Sequence, residues 1–539
     1  MIRTLLIVSV LVVVASAASA QTVLPPVMAH PPNPAGTGYA ETAIVLSGND
    51  VVVAYNDVAP FIMRYSVSLD GGATFPSPYN AAHYVGQDCV LGPLPKGVDP
   101  MGARAANGDI VIGGQMALAV LPAKAAFSIS RKGLGLSLFG TPTPLTCVDS
   151  TAQPDKDLMA IGPSRDGTRE KVYVSYTLSA DNAPCPAYGV RVVQSDLATP
   201  SLSTDLPLSP DATCSGARAG LGAVPVVLPA NYPSPQLRGR VAVAFMPLPT
   251  QANLPPEMWW SDTEGGALPG SPAWQQTTFP VLVQTPGASP EPVLPYSDSD
   301  VSGLFKPRSF PALAFHRPDP SIVYLIFPAT TPSAGAGNVD LIIMRSNDGG
   351  VSFLSQNALH VTDSMLGLPA GIDQILPWIG VDELGGVNFI FTTVRENPLD
   401  PSTILLRNYY ARFATFNATS PSAPFVHATS AEFEPIADAG HPGEEYVRDY
   451  HMLDVQGCKV VIAQMAVTPG SGGADIYVTR VFACAADADQ DGALTANDPP
   501  AFAALYVACD PRADLTRNGS VDAADVQAFM EAFVCQCNP

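Results

Sequence analysis

The sequence predicts an all-β protein built from repeated strand-and-turn units, followed at its C-terminal end by a small helical pair. Three observations carry this reading. The stretch Ser68-Leu69-Asp70-Gly71-Gly72-Ala73-Thr74-Phe75 returns far downstream as Ser346-Asn347-Asp348-Gly349-Gly350-Val351-Ser352-Phe353. Charged residues make up 14% of the 539-residue chain while Pro (55) and Gly (44) are abundant, which disfavours long helices and suits short strands joined by turns. Near the C-terminus, two acidic loops of matching spacing begin at Asp487 and Asp514, each followed by a short apolar stripe of helical period.

Each copy of the repeated stretch follows a strand-like run, residues 61–67 and 339–345. Asp-Gly-Gly lets the backbone take positive φ cheaply, and the short carboxylate can accept hydrogen bonds from the turn amides. Upstream of each copy two further strands with a turn between them complete a unit, and the same order of parts recurs. The first unit runs 42–46, turn Gly48-Asn49-Asp50, then 51–55. A second runs from Asp99 through 110–112 and 127–130 to a worn turn at Lys132-Gly133. A third covers 157–161, 171–176 and 190–196. The fourth, 240–245 and 258–266, is the least regular. The fifth (310–315, 322–326) holds the second good turn, the sixth spans 376–381, 387–391 and 406–416, and the seventh 450–455, 459–463 and 475–481.

The pattern S-x-D-x-G-x-[TS]-[FW], carried by Ser68, Asp70, Gly72, Thr74 and Phe75 and again by Ser346, Asp348, Gly350, Ser352 and Phe353, resembles the Asp box, or BNR repeat, of sialidase-type β-propellers. The resemblance implies four-stranded antiparallel blades with the box at the turn between the third and fourth strands, where it serves folding and not catalysis. Seven units then imply a seven-bladed ring around a channel, which removes exposed sheet edges. Six blades, with the fourth unit as an insertion, is the alternative.

Residues 1–20 read as a secretory signal: Arg3, the apolar run 5–14 and Ala18-Ser19-Ala20 before Gln21. This predicts bacterial-type export to an extracellular or cell-surface location. The apolar run is shorter than the ~20 residues of a spanning helix. A formal charge of −21 argues against a nucleic-acid surface. Nine cysteines in an exported chain suggest disulfides, and the odd number leaves one over.

In the tail, Asp487, Asp489, Asp491, Thr495 and Asp498, with Ala493 offering a backbone carbonyl, occupy the oxygen-ligand positions of an EF-hand loop, and Gly492 permits its turn. The second loop offers Asp514, Thr516, Asn518, Ser520, Asp522 and Asp525. Ca²⁺ takes six to eight oxygens, which alternate side chains of a tight loop supply. Two Ca²⁺ sites are expected, the second weaker because Thr516 stands where an acid is usual. Phe502, Leu505 and Tyr506 after the first loop, and Val526, Phe529, Met530 and Phe533 after the second, should form the small core of this module. A tandem loop-helix pair with Asp closing each loop resembles a dockerin over residues 484–539. That implies a cohesin-like or cell-surface protein partner, although Ala496-Asn497 and Ala523-Ala524 replace the hydroxyl residues that dockerins usually present. The expected organisation is thus signal 1–20, propeller 21–483 and dockerin-like module 484–539.

Sialidase chemistry needs three arginines for the substrate carboxylate, an Asp acid/base and a Tyr activated by a Glu. Residues 21–56, where the first arginine motif would stand, contain no arginine, and Arg64 lies on the wrong strand. Arg218, Arg308, Arg395, Arg407 and Arg448, with Tyr409 or Tyr446 and Glu396 or Glu444, leave the assignment open. His441-Pro442-Gly443-Glu444-Glu445 cannot form a helical metal motif because of its Pro-Gly. More telling, Asp99, Asp157 and Asp449 start their units' first strands, with Asp155 and Asp373 close to equivalent places, so these carboxylates should face one mouth of the channel. They could bind a cation or a hydroxyl-rich ligand, or cap strand-start amides. The expected function is therefore an exported recognition or scaffold body for a glycan or protein, tethered through its calcium-ordered tail. The alternative is an exo-acting glycoside hydrolase of sialidase type.

Overall fold

The computed structural model describes residues 21–31, 38–57, 62–76, 82–84, 86–88, 92–94, 98–116, 124–149, 153–179, 189–202, 206–208, 220–229, 238–247, 256–262, 274–280, 282–292, 309–316, 319–332, 338–437, 445–446, 451–457, 459–467, 473–482, 486, 488–489, 496–510, 513 and 521–536. The chain divides into two compact units, one of residues 25–456 with 461–480, the other of 1–24, 457–460 and 481–539. The signal segment 1–20 lies outside the described residues.

The larger unit is a seven-bladed β-propeller. Blade 1 is Tyr39–Ser47, Asp50–Asp57, Ile62–Ser68 and Ala82–His83, and the next two begin with Val98–Arg104 and Gln153–Pro163. Blades 4, 5 and 6 begin with Gly220–Val227, Ala312–Phe315 and Asp373–Val381, and blade 7 with Met452–Gln456. Within each of the first six, four antiparallel strands follow one another in sequence order. The irregular fourth unit is thus a full blade, Gly220–Val227, Val241–Pro247, Glu257–Ser261 and Gln275–Gln276, and the six-bladed alternative is set aside. Its innermost strand escaped the sequence reading because Gly220, Gly222 and Pro225 interrupt the β-branched run.

In the seventh blade the outer position is filled from the other end of the chain: Val27 and Met28 pair with Val478 and Tyr477 of the third strand. Innermost strands approach closely around the axis, and glycine makes room for that. A Cβ on Gly102 would lie 2.6 Å from Val45 of blade 1, and one on Gly380 would lie 2.6 Å from Leu453 of blade 7. The core fills the spaces between blades, with Val51, Val52, Val53 and Ala54 fully buried in blade 1 and Val461 and Ala463 in blade 7.

The two Asp-Gly-Gly turns fold alike. Asp70 Oδ1 accepts from Ser68 Oγ at 2.6 Å and from the Thr74 amide at 2.9 Å, while Oδ2 accepts from Thr74 Oγ1 at 2.6 Å. Asp348 repeats all three, at 2.6, 2.9 and 2.6 Å from Ser346 Oγ, the Ser352 amide and Ser352 Oγ. The Ser68 and Ser346 hydroxyls also accept from the amides of Gly72 (2.8 Å) and Gly350 (2.9 Å). Gly72 and Gly350 sit at φ 87° and 89°, which a side chain would strain. Phe75 and Phe353 tuck underneath, both buried. Both turns connect the third and fourth strands of their blades, at the face where the innermost strands end.

In the smaller unit, helices Asp498–Val507 and Ala523–Gln536 pack through Phe502 and Phe529, whose rings stack at 4.2 Å. Leu505, Tyr506 and Phe533 join that core, but Val526 and Met530 are exposed, 37% and 50%. The expected stripe on the second helix is therefore narrower than its sequence period implied. Asn497 at the start of the first helix makes no side-chain cap, and Asp498 turns back instead to accept from the Ala488 and Asp489 amides at 2.7 and 3.3 Å.

Candidate functional site

The end of the channel where the innermost strands begin is shaped by a recurring backbone device. In blades 1, 2, 3, 4 and 6 the pairing of the first two strands slips near the start of the innermost one, between Ala40 and Thr42 in blade 1 and between Asp155 and Leu158 in blade 3. At each slip one residue takes left-handed backbone: Glu41 (φ 47°), Asp99 (54°), Lys156 (56°), Gly222 (67°) and Leu376 (51°). Positive φ is uncommon for any residue but Gly, and bulges of this kind re-aim side chains.

In the first three blades the re-aimed side chains meet. Lys156 Nζ lies 3.5 Å from Glu41 Oε1 and 3.3 Å from Asp155 Oδ1. Blade 2 stands between blades 1 and 3, so these two side chains can meet only across the axis side of its innermost strand, at the channel mouth. Asp99, on that strand, is buried beside Glu41 and Lys156 and interacts with both. Glu41 also accepts from Asn56 Nδ2. Glu41, Asp99 and Lys156 are each at least 94% buried, while the Asp155 carboxylate is 37% exposed.

Burial pushes the Asp99 carboxyl up to about 7; the Lys156 ammonium and the Glu41 hydrogen bond oppose that shift, and Asp155 and Asp157 add to it. Burial likewise drives Asp157 well above the usual carboxylate range. Asp157 is fully buried, and neither carboxylate oxygen hydrogen-bonds to another residue. Asn56 Oδ1 and Gln115 Oε1 are also buried without a partner. The strand register sets Asn56 opposite Ala40, beside the Glu41 bulge, and Gln115 opposite Val98, beside the Asp99 bulge.

Of the carboxylates singled out in the sequence, Asp99 and Asp157 thus belong to this cluster. Asp373 does not: its Oδ1 accepts from the Val339 amide at 2.9 Å, and it caps a strand start. Asp449 lies outside the described residues. Glu41 and Lys156 gave no sequence signal, because their chemistry is ordinary and only the bulges bring them to the axis.

A second buried polar cluster lies in blades 5 and 6. His360 Nδ1 is 3.1 Å from Glu291 Oε1 and Nε2 2.7 Å from Asp340 Oδ2. Gln374 Nε2 donates to Asp340 Oδ1 and Asp363 Oδ1 at 3.0 and 2.9 Å. With both ring nitrogens engaged, this network ties the segment carrying Glu291 to blade 5.

The arginines considered for a carboxylate clamp are dispersed. Arg64 pairs with Asp57 at 2.6 Å, Arg395 with Glu432 at 2.7 Å, and Arg407 donates to the Ser430 carbonyl at 3.2 Å. Tyr409 stands opposite Phe391, five residues along the strand from Glu396, a separation of roughly 17 Å that keeps the two apart. Arg218, Arg308, Arg448, His441 and Glu444 lie outside the described residues.

Towards the other end, the channel holds a cavity of about 1020 Å³ lined by Ile44, Val226, Phe315, Trp378 and Leu453, with Arg169 among its polar residues. For the tail, the described ligand candidates are Asp489, Asp498, Asp522 and Asp525. Asp498 and Asp525 are fully buried, and Asp525 accepts from the Asp522 amide at 2.8 Å. Asp487, Asp491, Ala493, Thr495, Asp514, Thr516, Asn518 and Ser520 lie outside the described residues. Among the described residues no helix is long and apolar enough to cross a membrane.

No protein-family model matches the chain, and no curated protein matches it. Among solved structures it resembles the GH93 α-L-arabinofuranosidase of Fusarium graminearum, with TM-score 0.39 and 10% identity over 74% of this chain and 97% of that one. It also resembles the Penicillium chrysogenum α-L-arabinanase, with TM-score 0.38 and 11% identity over 85% and 98%. A leech intramolecular trans-sialidase follows, with TM-score 0.33 and 11% identity over 82% and 67%. The chain is a seven-bladed β-propeller with structural neighbours among arabinofuranosidases, a trans-sialidase and polysaccharide lyases.

Proposed function

We propose that this is an exported carbohydrate-recognition propeller whose ligand sits at the channel mouth of blades 1–3, and whose calcium-ordered, dockerin-like tail anchors it to a cohesin-like or cell-surface protein. The observation that carries the recognition reading is the Glu41–Lys156 contact at 3.5 Å, which joins blades 1 and 3 across blade 2 where the innermost strands begin. Convergent polar groups with a strongly perturbed carboxyl mark a candidate ligand site. The two Asp-Gly-Gly turns act as structural Asp boxes, remote from that mouth.

Hydrolysis is the second reading, favoured by one observation: Asp99 is held up to about 7, as a general acid would be. Its geometry counts the other way. The two carboxyls of a retaining glycosidase stand ~5–5.5 Å apart and those of an inverting one ~6.5–9.5 Å. Glu41 is a buried neighbour whose interaction with the Asp99 carboxyl opposes the rise that burial causes, as in a proton-sharing pair. Recognition without turnover fits better.

In the tail, Asp489 and Asp498 would hold one Ca²⁺ and Asp522 and Asp525 the other, completed by the remaining loop oxygens of the sequence pattern. The fit rests on chemistry: the described donors are all carboxylates, which suit a hard cation. Calcium would neutralise the loops and order the helices that follow.

A glycan array probed with the purified protein, beside assays of fluorogenic sialosides and arabinosides, tests the propeller. Saturable glycan binding with no product release supports recognition. Turnover abolished by Asp99→Asn would favour the hydrolase, and silence in both would remove the carbohydrate reading.

A further inference from the structure

Asn56 Oδ1 and Gln115 Oε1, buried and without a partner, are acceptors, and the buried Asp157 carboxyl has no partner on another residue either. The Asn56 amide fixes its own orientation, since its nitrogen donates to Glu41 and only the oxygen is left over. Buried acceptors without donors are costly, so a ligand for this place brings donors.

The charge balance points the same way. Lys156 is the cation in contact with this cluster among the described residues, and it is held between Glu41 and Asp155. Nothing there is spare to neutralise a ligand carboxylate. Asp155, 37% exposed, is the carboxylate an arriving ligand meets first, with Glu41 and Asp99 behind it. A metal ion is the less suitable cation, because among the described residues no group of His, Cys, Asp or Glu side chains converges as a metal shell.

We propose that the mouth of blades 1–3 selects sugars bearing a protonated amine, deacetylated hexosamines, over their N-acetylated and carboxylated counterparts. This rests on the recognition reading and narrows it. The ammonium supplies three donors and a positive charge to Asp155 and the acceptors behind it. An N-acetyl group supplies one donor, no charge and added bulk, and a uronate brings a negative charge to an acidic mouth.

The test is calorimetric titration of the purified protein with a β-1,4-linked glucosamine tetramer, its N-acetylated tetramer and a uronic-acid tetramer, at low and high salt. The glucosamine tetramer is expected to bind at least about tenfold tighter than the acetylated one. Added salt should narrow that gap, as should Asp155→Asn, a substitution at a partly exposed position. Glu41→Gln should narrow it too. Equal or tighter binding of the acetylated or uronic tetramer overturns the amine selectivity and leaves carbohydrate recognition standing. An array and a titration series in which no saccharide binds overturn both.

Discussion

Lys132 Nζ of blade 2 lies 2.5 Å from Asp50 Oδ2 of blade 1, with both side chains buried. Lys132 opens the worn turn of the second unit, where the intact copies carry Ser68 and Ser346. Here the blade gives up the local serine bond and reaches its neighbour, and the Gly135 amide donates to the same Asp50 oxygen at 2.8 Å. Removing one partner of a buried pair leaves an uncompensated charge. Lys132→Met should therefore destabilise the propeller by about 3–5 kcal/mol, read as a drop in the urea midpoint. The double variant Lys132→Met, Asp50→Asn should recover part of the loss.

The intact turns should behave locally. Asp70→Ala and Asp348→Ala each remove a carboxylate that accepts three hydrogen bonds, and each should cost about 1–3 kcal/mol. Glycan affinity should stay within twofold of the parent, since these turns lie at the other end of the blades. A loss of binding without a loss of stability would place the ligand at the wrong face.

The pH dependence should have two limbs of opposite sign. Burial raises the Asp70 and Asp348 carboxyls, but hydrogen bonds from Ser68 and Thr74, and from Ser346 and Ser352, outweigh it and hold both below their ordinary value. Their contribution is present above the unfolded carboxylate range and is lost as pH falls through the folded values. Asp99 works the other way. Raised to about 7, it binds its proton more tightly folded than unfolded, so its contribution is present at acid pH and lost as pH rises from the unfolded carboxylate range through about 7. Thermal midpoints from pH 4 to 8 should show a steeper fall towards pH 8 in the parent than in Asp99→Asn. Parallel curves would remove Asp99 from the linkage.

His451 stands just before the innermost strand of blade 7, and burial pulls it down to about 4. Its folded form resists the proton that the unfolded form takes up, so stability should fall as pH drops from about 6.5 towards 4. His451→Gln, which cannot titrate, should flatten that part of the curve, and no change in slope would count against it.

For the tail, calcium should raise the protease resistance of residues 484–539, and a chelator should reverse it. Asp487→Ala with Asp514→Ala should abolish the gain. Digestion that proceeds alike with calcium and with chelator would remove the ion from this module.

The strand runs, the two Asp-Gly-Gly turns and the two tail helices were legible in the sequence because each is specified by residues close together. Asp70 finds Ser68 and Thr74 within four positions, and a short unbroken apolar run such as 51–55 or 341–344 marks a buried strand wherever it ends up. The candidate site was only half legible. Asp99 and Asp157 stood out by their place at the start of a unit, but Glu41 and Lys156 carry none of the Gly or Asn signals of left-handed backbone.

Tertiary structure alone decided that Glu41, Asp99 and Lys156 share a mouth, that Asp373 caps a strand, and that Val27 and Met28 complete the seventh blade beside Val478 and Tyr477. Those contacts join residues tens to hundreds of positions apart. They exist because the blades close on themselves around an axis, and short-range sequence preferences do not encode that closure.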